Sequence, residues 1–312
     1  MELEIVRFFQ SWSCKALDVI IGIINEFGTD LFFYLAFFAL YWVYSKGYAF
    51  KFMFVYLSSC GFNKVFKSLV KRPRPAGAVD TGYSFPSGHA TSYACVSTQL
   101  VYETKRQGYP KKTWQKIDMW IEYILMGLLV CVARMYFGAH YLTDVLAGLL
   151  LGAFFTVAVT YLLNWFIEKF KGKIKYEIIL ICLVPVVLAV YFVVMFTNLI
   201  TDLDTLAKVY RFIGLFLAIV VGYFVDKKFI KYDPSKDSTK EKTSKVCIGL
   251  GVLIASYVLF LSNKPVDFKL GIYYFVVGLF ATIVLPWIFK TINNQPAKAG
   301  EKNDVKTEEK GE

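Results

Sequence analysis

The sequence predicts an all-α, polytopic membrane protein, a helical bundle that crosses a lipid bilayer about nine times. Hydrophobic residues make up 56% of the 312 positions, whereas soluble domains are roughly 45–50% apolar. Apolar runs of about 20 residues recur from Phe27 to Lys290, and a helix needs roughly 20 such residues to cross the ~30 Å hydrocarbon core. Charged residues gather between the runs, so we interpret the runs as membrane spans.

The order of the apolar runs sets the predicted domains. The runs lie at 27–45, 48–68, 88–104, 119–138, 141–166, 176–198, 207–225, 246–262 and 270–290. Residues 1–26 predict an amphipathic helix in the membrane interface, with Trp12 at headgroup depth. Residues 199–292 hold the additional transmembrane helices near the carboxyl terminus. Residues 293–312 are rich in Lys, Glu, Asn and Gly and predict a disordered cytoplasmic tail.

The distribution of Lys and Arg predicts the orientation of the spans. Every second loop is basic, and short basic loops remain in the cytoplasm; they lie at 44–51, 105–116, 169–175 and 227–245. The segment Lys67–Arg74 breaks this alternation, because it is basic and is expected to face outward. We interpret this violation as a sign that its charges serve another purpose.

Neither the net charge nor the cysteines predict a further partner. The net charge is +11, but the Lys and Arg residues lie at span ends, near an anionic leaflet, rather than on one soluble basic face. No nucleic-acid partner is therefore expected. The six cysteines form no CxxC pair, so neither a zinc site nor a disulfide framework is predicted.

Three segments expected to face outward hold nearly all the unusual polar residues. They are Lys67–Pro75, Tyr83–His89 and Arg134–Asp144. The protein has only two histidines, His89 and His140, and both fall in these segments. A lone histidine in an apolar helix is usually a satisfied core residue, but here that explanation would have to hold for both. We therefore expect a catalytic site at this face of the membrane.

The start of the predicted helix after Pro86 is suited to bind a phosphate. Ser87 and Gly88 fall at this helix start, where free backbone N–H groups and the positive end of the helix dipole attract anions. Gly88 lets the backbone come close to an oxyanion, because it has no side chain.

The basic residues of the same segments divide into two groups. Lys67, Arg74 and Arg134 supply three cations, enough to offset a phosphate dianion and the charge added by nucleophilic attack. Lys71 and Arg72 are interpreted instead as headgroup anchors at a span end, a common role for Lys and Arg.

His140 and Asp144 are four residues apart, so both point along one face if a helix begins at His140. Asp144 is then expected to accept a hydrogen bond from one ring nitrogen. This bond would fix the tautomer, leave the other nitrogen as a nucleophile and stabilise the imidazolium that follows.

Taken together, the three segments resemble the signature motifs of the type-2 phosphatidic acid phosphatase superfamily. The motifs here are Lys67-x6-Arg74-Pro75, Pro86-Ser87-Gly88-His89 and Arg134-x5-His140-x3-Asp144. The third motif usually opens Ser-Arg, whereas this chain has Ala133-Arg134, which removes one possible phosphate hydrogen bond. The resemblance implies a six-span catalytic core at about 27–198, followed by about three extra spans.

The resemblance also implies a role for each motif residue. The implied catalytic residues are the nucleophile His140, the general acid His89 and the orienting Asp144. The implied phosphate-binding residues are Lys67, Arg74, Ser87, Gly88 and Arg134. The family uses no metal and no cofactor, and this chain offers no separate metal-ligand set.

The expected substrate is a lipid phosphate or pyrophosphate, such as a phosphatidate-like lipid, a polyprenyl pyrophosphate or a sphingoid phosphate. The resemblance implies an integral protein of a bacterial plasma membrane, with membrane lipids as its partners and its active site facing outward. Two alternatives stay open, a phosphatase for a soluble ester, as in the related glucose-6-phosphatase, and a lipid phosphotransferase. The related vanadate-dependent haloperoxidases are soluble, so the spans argue against that activity. A transporter function for 207–290 is not favoured, because the region has few intramembrane charges.

Overall fold

The computed structural model of the protein describes residues 2–78, 82–109, 111–170, 203–261 and 268–293, together with Pro185 and Ala189. These residues form helices and contain no β-strand, which confirms the predicted all-α fold class. Asp226–Ile230 and Phe280–Val284 are π-helical turns. The α-helices are α1 (Glu2–Gln10), α2 (Lys15–Glu26), α3 (Asp30–Val43), α4 (Lys46–Val70), α5 (Gly88–Arg106), α6 (Thr113–Tyr136), α7 (Leu142–Lys169), α8 (Leu203–Val225), α9 (Thr239–Leu261), α10 (Phe268–Leu279) and α11 (Leu285–Asn293).

The chain divides into two compact units. The first comprises Met1–Leu40 and Gly47–Ile174, and the second comprises Tyr41–Lys46 and Lys175–Glu312. All three motif segments belong to the first unit. The predicted domain boundary between 198 and 199 lies outside the described residues and stays a prediction. The predicted tail at 293–312 also lies outside them, except for Asn293, which ends α11.

Every predicted span coincides with helix except 176–198, of which only Pro185 and Ala189 are described. By length and composition, the stretches Leu142–Lys169, Val209–Ile230 and Lys269–Ile292 are suited to cross a membrane. Helices α2 and α3, which bend by 51° at their break, form a fourth candidate if they make one span. The other long helices, α4, α5, α6 and α9, carry more polar residues, and the exact number of spans stays a prediction.

The first 26 residues form two helices rather than the single interfacial helix that we expected. The break lies at Ser11–Cys14, where the serine side chains bond locally. Ser11 donates to the carbonyl oxygen of Phe8 at 2.7 Å, and Ser13 donates to the Asp18 carboxylate at 3.3 Å. Such bonds compete with the continuation of a helix, because they satisfy polar groups in a turn instead.

Helices α5 and α7 of the first unit pack backbone to backbone. A Cβ atom at Gly148 would lie 2.7 Å from the carbonyl oxygen of Ser87, and one at Gly152 would lie 2.7 Å from that of Thr91. Glycines four residues apart let membrane helices approach closely in this way. The contact therefore fixes the start of α5, which carries the second motif, beside the first turns of α7, which carry Asp144 of the third motif.

Aromatic side chains fill the space between α3 and α4 in the first unit. The Phe33 ring stacks on that of Tyr56, with 3.7 Å between their centroids, and on that of Phe52 at 5.5 Å. The Tyr56 hydroxyl donates to the Asp30 carboxylate at 3.0 Å, as a buried tyrosine hydroxyl requires a partner.

A buried ion pair lies in the second unit. The Asp226 carboxylate is fully buried and pairs with the Lys46 ammonium. It also accepts hydrogen bonds from the Tyr41 hydroxyl at 3.2 Å and from the Tyr232 backbone N–H at 3.1 Å. These bonds satisfy a charge that would otherwise be costly to bury.

Replacing Asp226 by Asn is expected to destabilise the protein by about 3–5 kcal/mol, because the variant leaves the Lys46 charge buried without its counter-ion. Thermal unfolding in detergent measures the effect. Asp118→Asn is the matched control, since Asp118 is an exposed carboxylate on α6. Equal unfolding midpoints for the two variants would contradict the stabilising role of this ion pair.

Candidate active site

The first motif is bonded to the loop that precedes α5. Lys67, in the last turn of α4, donates from Nζ to the carbonyl oxygens of Tyr83 at 2.8 Å and Ser84 at 3.2 Å. The backbone N–H of Ser84 in turn donates to the carbonyl oxygen of Arg72 at 2.9 Å. Lys67 and the loop before α5 therefore hold the end of α4 beside the start of α5.

Ser87 is the N-cap of α5, and its own backbone contacts α7. Its hydroxyl accepts from the Ala90 N–H at 3.5 Å, and its N–H donates to the carbonyl oxygen of Asp144 at 2.9 Å. A serine is favoured at this position because it satisfies a backbone N–H in the first turn. Gly88 and His89 follow in that turn, whose N–H groups precede the first intrahelical bonds.

His89 lies against the turn that joins α2 to α3. A Cβ atom at Gly28 would fall 2.8 Å from the Cβ atom of His89. A larger residue would therefore displace the His89 backbone, so this turn helps to fix the position of the second histidine.

The third motif extends from the end of α6 to the start of α7. Arg134 is buried in the last turn of α6 and donates to the side-chain oxygen of Asn25 at 3.0 Å. His140, only 2% exposed, lies in the loop between the helices. Asp144 is buried in the first turn of α7, where its Oδ2 accepts from the Tyr141 backbone N–H at 2.9 Å.

The expected hydrogen bond between His140 and Asp144 is not formed. The His140 Nδ1 atom lies 3.7 Å from Asp144 Oδ2, which is longer than a hydrogen bond. The oxygens of Asp144 have other donors, because Oδ2 accepts from Tyr141 and Oδ1 accepts from Arg72 at 2.9 Å. The Asp144 carboxylate therefore acts on the His140 ring as a nearby negative charge rather than as a hydrogen-bond acceptor.

Arg72 contacts this site, and its assignment as a headgroup anchor was wrong. Besides Asp144, its Nη1 donates to the Thr143 hydroxyl at 2.6 Å, and its guanidinium lies 4.2 Å from the centroid of the Tyr141 ring. These partners lie about seventy residues further along the chain, and no spacing rule connects them to Arg72. The one sequence signal was its place between Lys71 and two prolines in a segment that already broke the topology rule.

The other ring nitrogen of His140 faces Arg74. Arg74 Nη1 lies 3.2 Å from His140 Nε2 and donates to the carbonyl oxygen of Ala139 at 2.8 Å. A guanidinium can only donate, so Nε2 is the acceptor and the ring proton is on Nδ1, toward Asp144. Nε2 therefore carries the lone pair that a nucleophile needs.

The surroundings of His140 favour its neutral form. The pKa of His140 is lowered from 6.5 to about 4, chiefly by burial; the positive charges of Arg134, Lys67 and Arg74 also lower it, whereas the Asp144 carboxylate raises it. The three cations predicted from the motifs thus all act on one imidazole. At neutral pH the site therefore presents an unprotonated imidazole in positively charged surroundings.

No group of three side chains suited to hold a metal ion occurs among the described residues. Besides the Asp144 carboxylate, the charged groups that act on His140 are the guanidinium groups of Arg74 and Arg134 and the ammonium of Lys67, which bind anions. The arrangement suits a phosphate group placed between His140 and the three cations.

Two family profiles match this chain. The PAP2 superfamily profile matches residues 48–168, which include all three motifs. The profile described as PAP2 superfamily phosphatase, transmembrane extension, matches residues 210–297, which include α9 to α11. The two matches together cover more than half of the chain.

Curated relatives and a solved structure are similar to parts of the chain. Phosphatidylglycerophosphatase B of Bacillus subtilis (strain 168) is 35% identical over 35% of this chain and 53% of its own length. Undecaprenyl-diphosphatase of Sulfolobus acidocaldarius is 37% identical over 30% of this chain and 37% of its own length. The crystal structure of the transmembrane PAP2-type phosphatidylglycerolphosphate phosphatase from Bacillus subtilis has 25% identity and a TM-score of 0.44, covering 55% of this chain and 86% of that chain. This chain spans about half, or less, of the length of the curated relatives.

His140 is expected to stay neutral well below pH 6.5. In a His89→Gln variant it is the only histidine, so ¹⁵N-histidine NMR follows its ring directly. Because the pKa is lowered, the neutral form persists as pH falls and is lost only near pH 4. A titration midpoint near 6.5 would contradict the buried, cation-lined surroundings described above.

Proposed function

This chain belongs to the PAP2 superfamily, and from that premise we propose that it is an integral membrane phosphatase acting on a lipid phosphate or pyrophosphate through a phosphohistidine at His140. The observation that carries the proposal is the His140 ring, whose Nε2 lone pair faces Arg74 while Lys67 and Arg134 act on the same ring. A neutral imidazole supplies the lone pair for nucleophilic attack on phosphorus, and three cations offset the negative charge of a phosphate dianion.

Substrate binding exposes the nucleophile in this scheme. The phosphate oxygens take the donors of Lys67, Arg74 and Arg134, together with the Gly88 N–H at the start of α5. Arg74 then exchanges its contact with Nε2 for a charge-assisted bond to a phosphate oxygen. The lone pair of His140 is left directed at phosphorus.

The chemistry takes two displacements. Nε2 of His140 forms a bond to phosphorus, and the bond from phosphorus to the ester oxygen breaks as that oxygen takes a proton from His89. A water molecule then attacks phosphorus and loses its proton to His89, and the P–N bond breaks to release phosphate and neutral His140. The nearby Asp144 charge stabilises the positive phosphoimidazole between the two steps.

A lipid substrate fits the location of the site residues. Lys67 and Arg134 lie in the last turns of α4 and α6, and His89 and Asp144 lie in the first turns of α5 and α7. Helix ends lie near headgroup depth when the helices span a bilayer. The relatives named above carry lipid phosphates in their names, and we extend that class to this chain, with the site at the outer face of a bacterial plasma membrane.

Two histidine variants test the mechanism. His140→Ala is expected to abolish turnover together with covalent labelling by a ³²P-phosphate substrate, because the nucleophile is lost. His89→Ala is expected to slow hydrolysis of an alkyl phosphate by about 10²–10⁴-fold, and that of a nitrophenyl phosphate far less, because an acid matters most for a basic leaving group.

All these assays contain excess chelator, since the proposed site uses no metal. Equal losses on both substrates would remove His89 from the role of general acid. Phosphoenzyme that persists in His140→Ala would remove His140 from the role of nucleophile, and activity that returns only with an added divalent cation would contradict the mechanism.

Substrate class is tested by comparing a long-chain lipid phosphate with glucose 6-phosphate in detergent micelles. We expect kcat/KM to favour the lipid by well over tenfold, because burial of only two methylene groups is worth about tenfold. A sugar phosphate that matched the lipid would favour the soluble-ester alternative. Transfer of the phosphate to an added alcohol, in place of release of inorganic phosphate, would favour the phosphotransferase alternative.

A further inference from the structure

Glu2, in the first turn of α1, contacts the site from outside the region that the PAP2 superfamily profile matches. One oxygen of its carboxylate pairs with Arg72 Nη2. The other accepts from the Thr143 hydroxyl at 2.7 Å and from the Thr143 backbone N–H at 3.3 Å. Glu2 therefore bridges the loop of the first motif and the start of α7.

Arg72 is held between two carboxylates by these contacts. Its Nη2 pairs with Glu2, and its Nη1 donates to Asp144 at 2.9 Å and to the Thr143 hydroxyl at 2.6 Å. Asp144 in turn lies 3.7 Å from the His140 ring. A chain of charged contacts thus runs from α1 to the proposed nucleophile.

We infer that Glu2 is a positioning residue for His140: it anchors Arg72 and shares its positive charge, so that Asp144 keeps its negative charge available to the imidazole. The inference rests on the proposed function where it concerns turnover. Its geometric part concerns the charge that Asp144 presents to His140, which is measurable without any substrate.

The balance of charge explains why Glu2 is needed. The other charged groups that act on His140 are cations, namely Lys67 from α4, Arg74 from the first-motif loop and Arg134 from α6. If Arg72 paired with Asp144 alone, it would offset the carboxylate that opposes these cations. The hydrogen bonds from Thr143 and the pairing with Arg72 lower the pKa of Glu2, so its charge is present at neutral pH.

The packing of α1 keeps Glu2 at this position. Val6 of α1 is only 1% exposed, in a cluster with Ala90 of α5, Met135 of α6 and Val145 of α7. Helix α1 is therefore seated on the elements that carry the second and third motifs. Glu4 is exposed on the same helix and offers a matched control for a loss of charge.

The experiment compares Glu2→Gln, Glu2→Asp and Glu4→Gln with the wild-type protein. Glu2→Gln is expected to lower kcat about tenfold with little change in KM, the order expected when one charge-assisted hydrogen bond is lost. Glu2→Asp keeps the charge at a shorter reach and is expected to recover part of the loss. Glu4→Gln is expected to match the wild type.

NMR of ¹⁵N-labelled histidine supplies the readout that does not depend on turnover. The two ring signals are assigned with His89→Gln, and the protonated fraction of His140 is compared at pH 4.5. It is expected to be smaller in Glu2→Gln than in the wild type, because Arg72 then offsets more of the Asp144 charge, and unchanged in Glu4→Gln. A structural role in seating α1 would not produce this difference.

The two proposals fail in different ways. If the wild type hydrolyses no phosphate but the His140 signal responds to Glu2→Gln alone, the proposed function fails and the positioning role stands. An unchanged His140 signal, an effect on KM only, or an equal effect of Glu4→Gln would overturn the positioning role. If Glu2→Gln does not fold, Glu2→Asp decides, because an unchanged kcat and an unchanged signal there would also overturn it.

Discussion

The close packing of α5 against α7 constrains everything else in the site. Gly148 and Gly152 bring the α7 backbone against the carbonyl groups of Ser87 and Thr91, and the Ser87 N–H bonds to the carbonyl oxygen of Asp144. The starts of the two helices are thereby side by side. One start supplies backbone N–H groups and His89, and the other supplies the carboxylate that faces His140. A side chain larger than glycine at this contact would move these groups apart.

The positive charges around His140 make the site suited to bind an anion. The imidazole of His140 is neutral chiefly because burial disfavours its charged form, and the three nearby cations disfavour that form as well. The same cations favour a phosphate dianion, whose binding would compensate their charge. In the proposed reaction the imidazole becomes positive only after the phosphate is present, so the phosphate balances the nearby positive charges when His140 reacts.

The amino-terminal helices contribute to the site although they lie outside the matched family profile. Glu2 of α1 bonds to Arg72 and Thr143, and Asn25 of α2 bonds to Arg134. These contacts reach the loop of the first motif and both ends of the third. A segment that composition alone describes as an interfacial helix is thus part of the scaffold that orders the charged groups.

The sequence by itself determined the all-helical fold and identified part of the charged surroundings of His140, the proposed nucleophile. Apolar runs long enough to span a bilayer form helices because the backbone must bond internally there, so the span expected at 48–68 is the helix Lys46–Val70. Motif spacing likewise placed Lys67 and Arg74 near His140. The tertiary structure alone decided the partner of each charge, because Arg72 meets Asp144 and Glu2 only after helices distant in sequence have packed. Hydrogen-bond geometry then set the distance from His140 to Asp144, since the carboxylate oxygens were already bonded to Tyr141 and Arg72.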